Sequence, residues 1–306
     1  MRVFVTGATG FIGAVIVQEL QQAGHQVLGL ARSDEAAARL QAAGVEAHRG
    51  ALDDLDSLQR GASAADGVIH TAFKHDFFRG PPEDFASGWQ AAAAADQAAI
   101  AALGQALAGS GKPLVMTSGT LLMTPGQLAL ETDAPATNAV ATIRLPSEQT
   151  ARALAQQGVR SSIVRLSPTV HGEGDSGFVP GLIAVARQHG VSAYVGAGDN
   201  RWPAIHRLDA ARLFRLALEQ APAGTALHGA AEEGVRTRDI AAAIGRQLGL
   251  PVASIAPEHA AAHFGWLAAM IGIDNPTSSE LTRRLVGWTP QQPALLADIE
   301  SPAYFG

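Results

Sequence analysis

The 306-residue chain contains no cysteine, which excludes disulfides, thiol nucleophiles, CxxC redox centres and thiolate metal sites together. Lysine is nearly as scarce. Among 22 basic residues only Lys74 and Lys112 are lysines, and Tyr194 and Tyr304 are the two tyrosines. Aromatic residues make up 5% of the chain and alanine roughly a fifth, which implies a core of small aliphatic side chains, with helices laid closely on a sheet. The formal charge of −6 comes with arginines scattered along the chain; no basic face is present to draw in nucleic acid or an anionic membrane. A bilayer span needs about eighteen uncharged apolar residues. Residues 91–108 come nearest, and Asp96, Gln97 and Gln105 interrupt them. The opening MRVFVTG lacks a signal-peptide pattern, so a cytoplasmic location is expected.

Short β-branched runs alternate with Ala-rich amphipathic stretches. Residues 3–6 read as a buried strand, 12–23 as a helix closed by Gly24, and 26–30 as a second strand. Ser33 then caps a helix with Asp34 and Glu35 in its first turn and Gly44 beyond its end. The rhythm continues with strands at 45–48, 67–70, 113–117 and 161–166 and helices from about 55, over 85–107 and over 145–157. Strand, helix, strand at these spacings predicts an α/β fold, a Rossmann-like doubly wound parallel sheet. Residues 1–172 are expected to form this domain, with 203–220 returning to it. Residues 173–306, richer in Gly and Pro clusters and with a helix capped by Thr237, are expected to form a smaller substrate lobe over the carboxyl ends of the strands, where ligands bind in such sheets.

The first strand runs directly into Thr6-Gly7-Ala8-Thr9-Gly10-Phe11-Ile12-Gly13, which opens the first helix. Gly7 permits the tight turn, Gly10 lets backbone amides approach a pyrophosphate, and Gly13 allows the helix to close on the strand. At the end of the second strand an acid would serve the ribose hydroxyls of NAD, whereas a cation would serve the 2′-phosphate of NADP. That segment reads Leu30-Ala31-Arg32-Ser33. Arg32 and the Ser33 hydroxyl suit the phosphate, so NADP(H) is expected over NAD(H); the plainer reading is a solvated arginine beside a simple cap.

These residues resemble the extended and atypical short-chain dehydrogenases/reductases, including their NAD-dependent epimerase/dehydratase branch. The likeness includes TGATGFIG, VIHTA at 68–72, TSGT at 117–120, VRLSPTVHGEG at 164–174, RWPAIHRLDAARLF at 201–214 and GWTP at 287–290. The resemblance implies that Leu52 and Ala72 line the adenine and ribose side and that the segment from Pro168 to Val170 lies beside the nicotinamide. It also implies a catalytic hydroxyl at Ser118. The third-strand motif reads Gly50-Ala51-Leu52 where the family often carries an acid, which leaves Asp53 or Asp54 as the nearest carboxylates.

A larger departure concerns the family's acid/base Tyr and the Lys four residues on. Neither tyrosine here is followed by such a lysine. Counting back from Glu148, which matches the family's helix glutamate, places Arg144 at the Lys position and Val140 at the Tyr position. Arg144 can hold ribose hydroxyls but cannot relay a proton near neutral pH. The missing donor is then His171, Tyr194, His206 or an ordered water, and His171 has the most suitable intrinsic pKa beside the nicotinamide-side segment. His259 and His263 lie four apart without the glutamate or third ligand of a zinc site, and Ser118 lacks a GxSxG elbow, so no metal and no hydrolase triad is expected. The expected activity is NADP(H)-dependent reduction of a carbonyl or related small molecule. A non-catalytic NADP(H) sensor is the alternative and nucleotide-sugar epimerisation a third reading. The expected partners are the small-molecule substrate and, in a homodimer, a second copy of the chain.

Overall fold

In the computed structural model, residues 1–78, 84–137, 139–301 and 304–305 are described. The chain winds through β1 (Arg2–Thr6), α1 (Phe11–Gln22), β2 (Gln26–Ala31), α2 (Asp34–Ala42), β3 (Glu46–Arg49), α3 (Leu55–Ser63), β4 (Gly67–His70), α4 (Phe85–Leu107), β5 (Pro113–Gly119), α5 (Ala139–Gln156) and β6 (Arg160–Leu166). After β7 (Thr169–His171), α6 (Phe178–His189), β8 (Ser192–Val195) and β9 (Arg201–His206) it returns along α7 (Arg207–Gln220) and β10 (Thr225–Gly229). β11 (Glu232–Arg236), α8 (Thr237–Leu248), β12 (Val252–Ile255) and short helical turns complete it.

The main sheet has the order β10-β6-β5-β4-β1-β2-β3, and every neighbouring pair is parallel. Both faces are covered, which is why its strands read as apolar runs rather than as alternations: Val3, Phe4, Val5, Val68, Ile69, Leu114, Val115 and Met116 are fully buried. One face packs on α1 and α7, the other on α3, α4 and α5. Strand order reverses between β1 and β4, so a crevice opens there at the carboxyl edge, the switch point of doubly wound sheets.

The remaining strands form a three-stranded sheet, β11-β9-β7, and a two-stranded one, β12-β8. They share a separate core with α6, α8 and the segment around Phe264, Leu267 and Ile271. Trp288 is fully buried in the main core and donates from Nε1 to the Asp209 carbonyl at 3.0 Å, while the Asp209 carboxylate accepts the amides of Gln291 and Gln292. This lashes the C-terminal segment to the first turn of α7.

One helix differs from its sequence expectation in a way that matters for the site. Helix α5 begins at Ala139 and runs through Pro146. Proline favours a first helical turn and lacks the amide that bonds four residues back, so its position suggests a later start. Burial of Ala141, Ser147, Glu148, Ala151 and Leu154 on their side of the sheet holds the earlier turns helical regardless.

Candidate cofactor site and the buried networks beneath it

The glycine loop does what its sequence requires. Gly7 has φ +70, and the Gly10 amide donates to the Gly7 carbonyl at 2.9 Å. A Cβ on Gly13 would lie 1.9 Å from that same carbonyl oxygen, so only glycine lets α1 seat this closely on β1. Gly10 caps α1 without any side-chain hydrogen bond, which leaves the first-turn amides at Phe11, Ile12 and Gly13 aimed at the crevice with the positive end of the helix dipole. Thr9, Phe11 and Ile12 are half-buried, and the Thr9 carbonyl accepts from Arg39 at 3.0 Å.

At the end of β2, Arg32 and Ser33 are both exposed. The Ser33 hydroxyl accepts the Ala36 amide at 3.1 Å and so caps α2, while Arg32 makes no hydrogen bond or ion pair among the described residues. The nearest acid, Asp34, pairs with Arg49 at 2.7 Å. Leu52 and Ala72 are half-buried on the two loops that flank this side, and the Ala72 amide donates to the Thr6 hydroxyl at 3.3 Å. Both nearby carboxylates have partners: Asp54 caps α3 through the Ser57 amide, and Asp53 pairs with Lys74 at 2.6 Å, bridging the two loops.

Across the switch point, Arg144 lies at the carboxyl edge of β5. Its guanidinium stands 4.1 Å from the centre of the Phe73 ring, Nη2 donates to the Thr117 carbonyl at 3.3 Å, and Nη1 lies 3.3 Å from Asp96 Oδ2. That last contact is an ion pair without hydrogen-bond alignment, so Nη1 is a buried donor with no hydrogen-bond acceptor among the described residues. Asp96 is itself buried and bonded to Ser147 Oγ at 2.6 Å and to His70 Nε2 at 3.1 Å; His70 Nδ1 reaches the Thr6 hydroxyl at 2.8 Å. Burial alone would raise the Asp96 pKa, but the bond to His70 and the charge of Arg144 together hold it below its ordinary value.

Ser118 is buried, and its hydroxyl donates to Glu148 Oε1 at 2.7 Å. A serine hydroxyl has one proton, and here it faces the carboxylate. Glu148 is fully buried and forms a two-pronged pair with the fully buried Arg165, at 2.9 Å to Nε and 2.8 Å to Nη2. Against the upward push of burial, Arg165 and Ser118 keep Glu148 ionised, with its pKa below the usual value. Arg165 continues to His228 Nε2 at 3.3 Å, and His228 Nδ1 to the Ser278 carbonyl at 2.9 Å.

Pro168 and Val170 are half-buried on the loop and strand that follow β6. His171 is buried, with Nδ1 2.8 Å from Asp298 Oδ2 and its ring edge-on to His206 at 5.3 Å. Burial lowers its pKa despite Asp298. His206 caps α7 by accepting the Leu208 amide, and Tyr194 belongs to β8 in the other body. Ser118, Arg144 and Glu148 therefore meet at one edge, whereas His171 belongs to a cluster with Asp298 and His206. Val140 falls within α5.

Sequence reasoning missed three features. Asp96, a mere break in an apolar run by sequence, anchors Arg144; His75 stands edge-on to Phe73, and desolvation of its ring together with the charge of Arg144 lowers its pKa. Arg207 stands over Phe11. Only the polar interruption at Asp96 left a signal in the sequence. Among the described residues no group of three metal-capable side chains comes together, and no helix is long and apolar enough to cross a membrane.

The switch-point crevice, the uncapped glycine-loop helix and the parallel sheet define a Rossmann fold of the dinucleotide-binding type. The chain belongs to the NAD dependent epimerase/dehydratase family, whose model matches residues 3–228. An uncharacterized protein from Schizosaccharomyces pombe is 49% identical over 305 residues, covering 100% of both chains, and one from Saccharomyces cerevisiae is 45% identical over 98% of both. In fold the chain is similar to the dTDP-glucose 4,6-dehydratase DesIV from Streptomyces venezuelae, solved with NAD bound, with a TM-score of 0.78 at 19% identity over 99% of this chain and 96% of that one.

Proposed function

We propose that the protein is an NADP(H)-dependent reductase of a small carbonyl-type substrate that works without a Tyr/Lys pair. The observation that carries this reading is Arg144. A buried N–H with no acceptor costs about 1–3 kcal/mol, and this one lies at the edge where a ribose hydroxyl of a dinucleotide stretched from the glycine loop would supply the missing oxygen. Asp96, the Thr117 carbonyl and the Phe73 ring fix its direction, so little side-chain freedom is left to lose on binding.

The free charge of Arg32 beside the Ser33 cap supports the choice of NADP(H), and the first acid after it, Asp34, is engaged by Arg49 rather than free to hold a ribose 2′-hydroxyl. When bound, the dihydronicotinamide supplies a hydride to an electrophilic carbon. Arg144 orients the ribose, and Pro168 and Val170 wall the nicotinamide side. Water at the open mouth supplies the proton, since the Ser118 proton faces Glu148 and the His171 ring faces Asp298. Epimerisation, which needs a proton taken and returned by one group, has less to work with here.

A second reading has its own support: with Ser118 and His171 both in buried bonds, the fold could bind NADP(H) and report its redox state without turnover. One experiment separates the two. NADPH oxidation is followed against a panel of aldehydes, ketones, imines and activated alkenes, alongside fluorescence titration with NADPH and NADH. Turnover of any member supports the reductase; tight NADPH binding with no turnover on any of them supports the sensor. Arg32→Ala is expected to weaken NADPH about tenfold or more while leaving NADH unchanged, and an equal response of both cofactors would overturn the NADP assignment.

A further inference from the structure

Helices α1 and α7 run side by side in the same direction. Phe11 meets Arg207, and Glu19 meets Arg215 at 2.7 Å, each pair separated by 196 positions, before His25 meets Glu219 at 2.9 Å near the other end. Two helix N-termini therefore lie together at the carboxyl edge of the sheet. The first carries the uncapped amides of the glycine loop; the second begins with Arg207.

The Arg207 guanidinium lies 5.3 Å from the centre of the Phe11 ring, at the first residue of α1. One of its nitrogens, Nη1, donates to the Glu173 carbonyl, and Arg207 has no carboxylate partner among the described residues. Its stem passes a loop kept clear by glycine: a Cβ on Gly172 would come within 3.1 Å of Cγ and 3.2 Å of Cδ, and one on Gly174 within 3.4 Å of Nη1. Gly172 and Gly174 also have positive φ, 133 and 79, so other residues are strained there on both counts. The first turn of α7 is held rigid by the lashing of Asp209 to Trp288, Gln291 and Gln292.

We propose that Arg207 is a ligand of the cofactor's pyrophosphate. The diphosphate would lie on the amides of Phe11 and Ile12, and the guanidinium fork of Arg207 would close over it from α7. A guanidinium with no carboxylate partner and with Nε and Nη2 making no hydrogen bond among the described residues, set beside an uncapped helix N-terminus, is the arrangement that planar, two-point recognition of a phosphate needs. Because the same side chain holds the Glu173 carbonyl, it ties the cofactor to the loop between β7 and α6. That loop is pinned from its far side, where Tyr304 accepts the Gly172 amide and donates to Asp175. Arg32 and Arg207 then divide the cofactor between them, Arg32 reading the 2′-phosphate and Arg207 the pyrophosphate that both cofactors share.

This assignment rests on the dinucleotide reading above, and its test keeps the two apart. Titrations of wild-type protein and Arg207→Gln with NADPH, NADH and adenosine 2′-monophosphate are compared, with thermal melting to confirm folding. The variant is expected to weaken NADPH and NADH equally, by about tenfold or more, to leave the 2′-monophosphate unchanged, and to flatten the salt dependence of NADPH binding. In the wild-type protein, where folding of a variant is not at issue, modification of Arg207 by phenylglyoxal, read by peptide mass, is expected to slow at least severalfold with saturating NADPH or NADH and not with the 2′-monophosphate. Unchanged modification under saturating NADPH, or dinucleotide affinities of Arg207→Gln within twofold of the parent, would overturn the role of Arg207 alone. A wild-type protein that binds neither dinucleotide would overturn the cofactor reading and this assignment with it.

Discussion

Around β1 and β2 the polar groups at the carboxyl edge are left open: the first-turn amides of α1 have no side-chain cap, and Arg32 has no partner among the described residues. Around β5, β6 and α5 the same edge is closed: the Ser118 hydroxyl, the Glu148 carboxylate and the Arg165 guanidinium satisfy one another without solvent. Arg144 stands at the boundary, partnered on three sides and short of one acceptor. Open donors wait for a ligand, whereas closed networks define a shape. In this chain the edge around β1 and β2 has the first property, and the edge around β5, β6 and α5 has the second.

The largest expected effect comes from breaking the closed half. Glu148→Leu strands the Arg165 charge in a site with no exposure, and removal of one partner from a buried pair costs about 3–5 kcal/mol. Urea denaturation should show that loss, and the double variant Glu148→Leu/Arg165→Met should recover most of it. If the double variant were as unstable as the single one, the pair would be holding the site by something other than charge compensation.

Gly13→Ala attacks the open half. The added Cβ meets a backbone carbonyl, so α1 must shift away from β1. The expected stability loss is about 1–3 kcal/mol, smaller than for Glu148, but NADPH binding should vanish in a fluorescence titration because the amides move with the helix. Near-parental affinity would mean that the cradle tolerates displacement and that the glycine is there for packing alone.

Much of this was legible in the residues. The parallel sheet follows from apolar runs separated by helical stretches, and the glycine loop from three glycines at the first strand's end. Ser33 and Gly44 punctuate a helix by local chemistry. What was not legible depends on distant partners. Nothing local to Ser118 says that its proton points at a residue 30 positions away, nothing near His171 announces Asp298 at 127, and Arg207 lies 196 positions from Phe11. The start of α5 was obscured by Pro146, whose local preference lost to the burial of neighbouring residues.

Arg144→Met sharpens the boundary between the halves. The thioether keeps the apolar stem against Phe73 and removes the donors. NADPH affinity is expected to fall about tenfold, equivalent to ~1.4 kcal/mol, while stability in urea changes by less than that because Asp96 retains Ser147 and His70. A variant that loses stability but not affinity would make Arg144 part of the closed network and remove the main support for a ribose contact.

The smallest effect lies where the C-terminal segment meets the loop between β7 and α6. Burial pushes the Asp175 pKa up to about 6, against the amides of Gly177 and Ser176 and the Tyr304 hydroxyl, and the charge of Asp298 adds to the rise. An acid whose folded pKa lies above its unfolded value near 3.9 takes up a proton on folding in the interval between the two. Its contribution is therefore fully present below about pH 4 and is lost as pH rises through about 6. Reduced for partial solvent contact, the wild-type protein should lose about 1 kcal/mol from this group between pH 4.5 and 7. Asp175→Asn cannot ionise and keeps an acceptor for the Tyr304 hydroxyl, so the difference between its urea stability and that of the parent should grow across this interval and stay level above it. A constant difference from pH 4.5 to 7 would show that Asp175 is already ionised when folded, and that the loop between β7 and α6 is held by Tyr304 and Arg207 without help from a protonated acid.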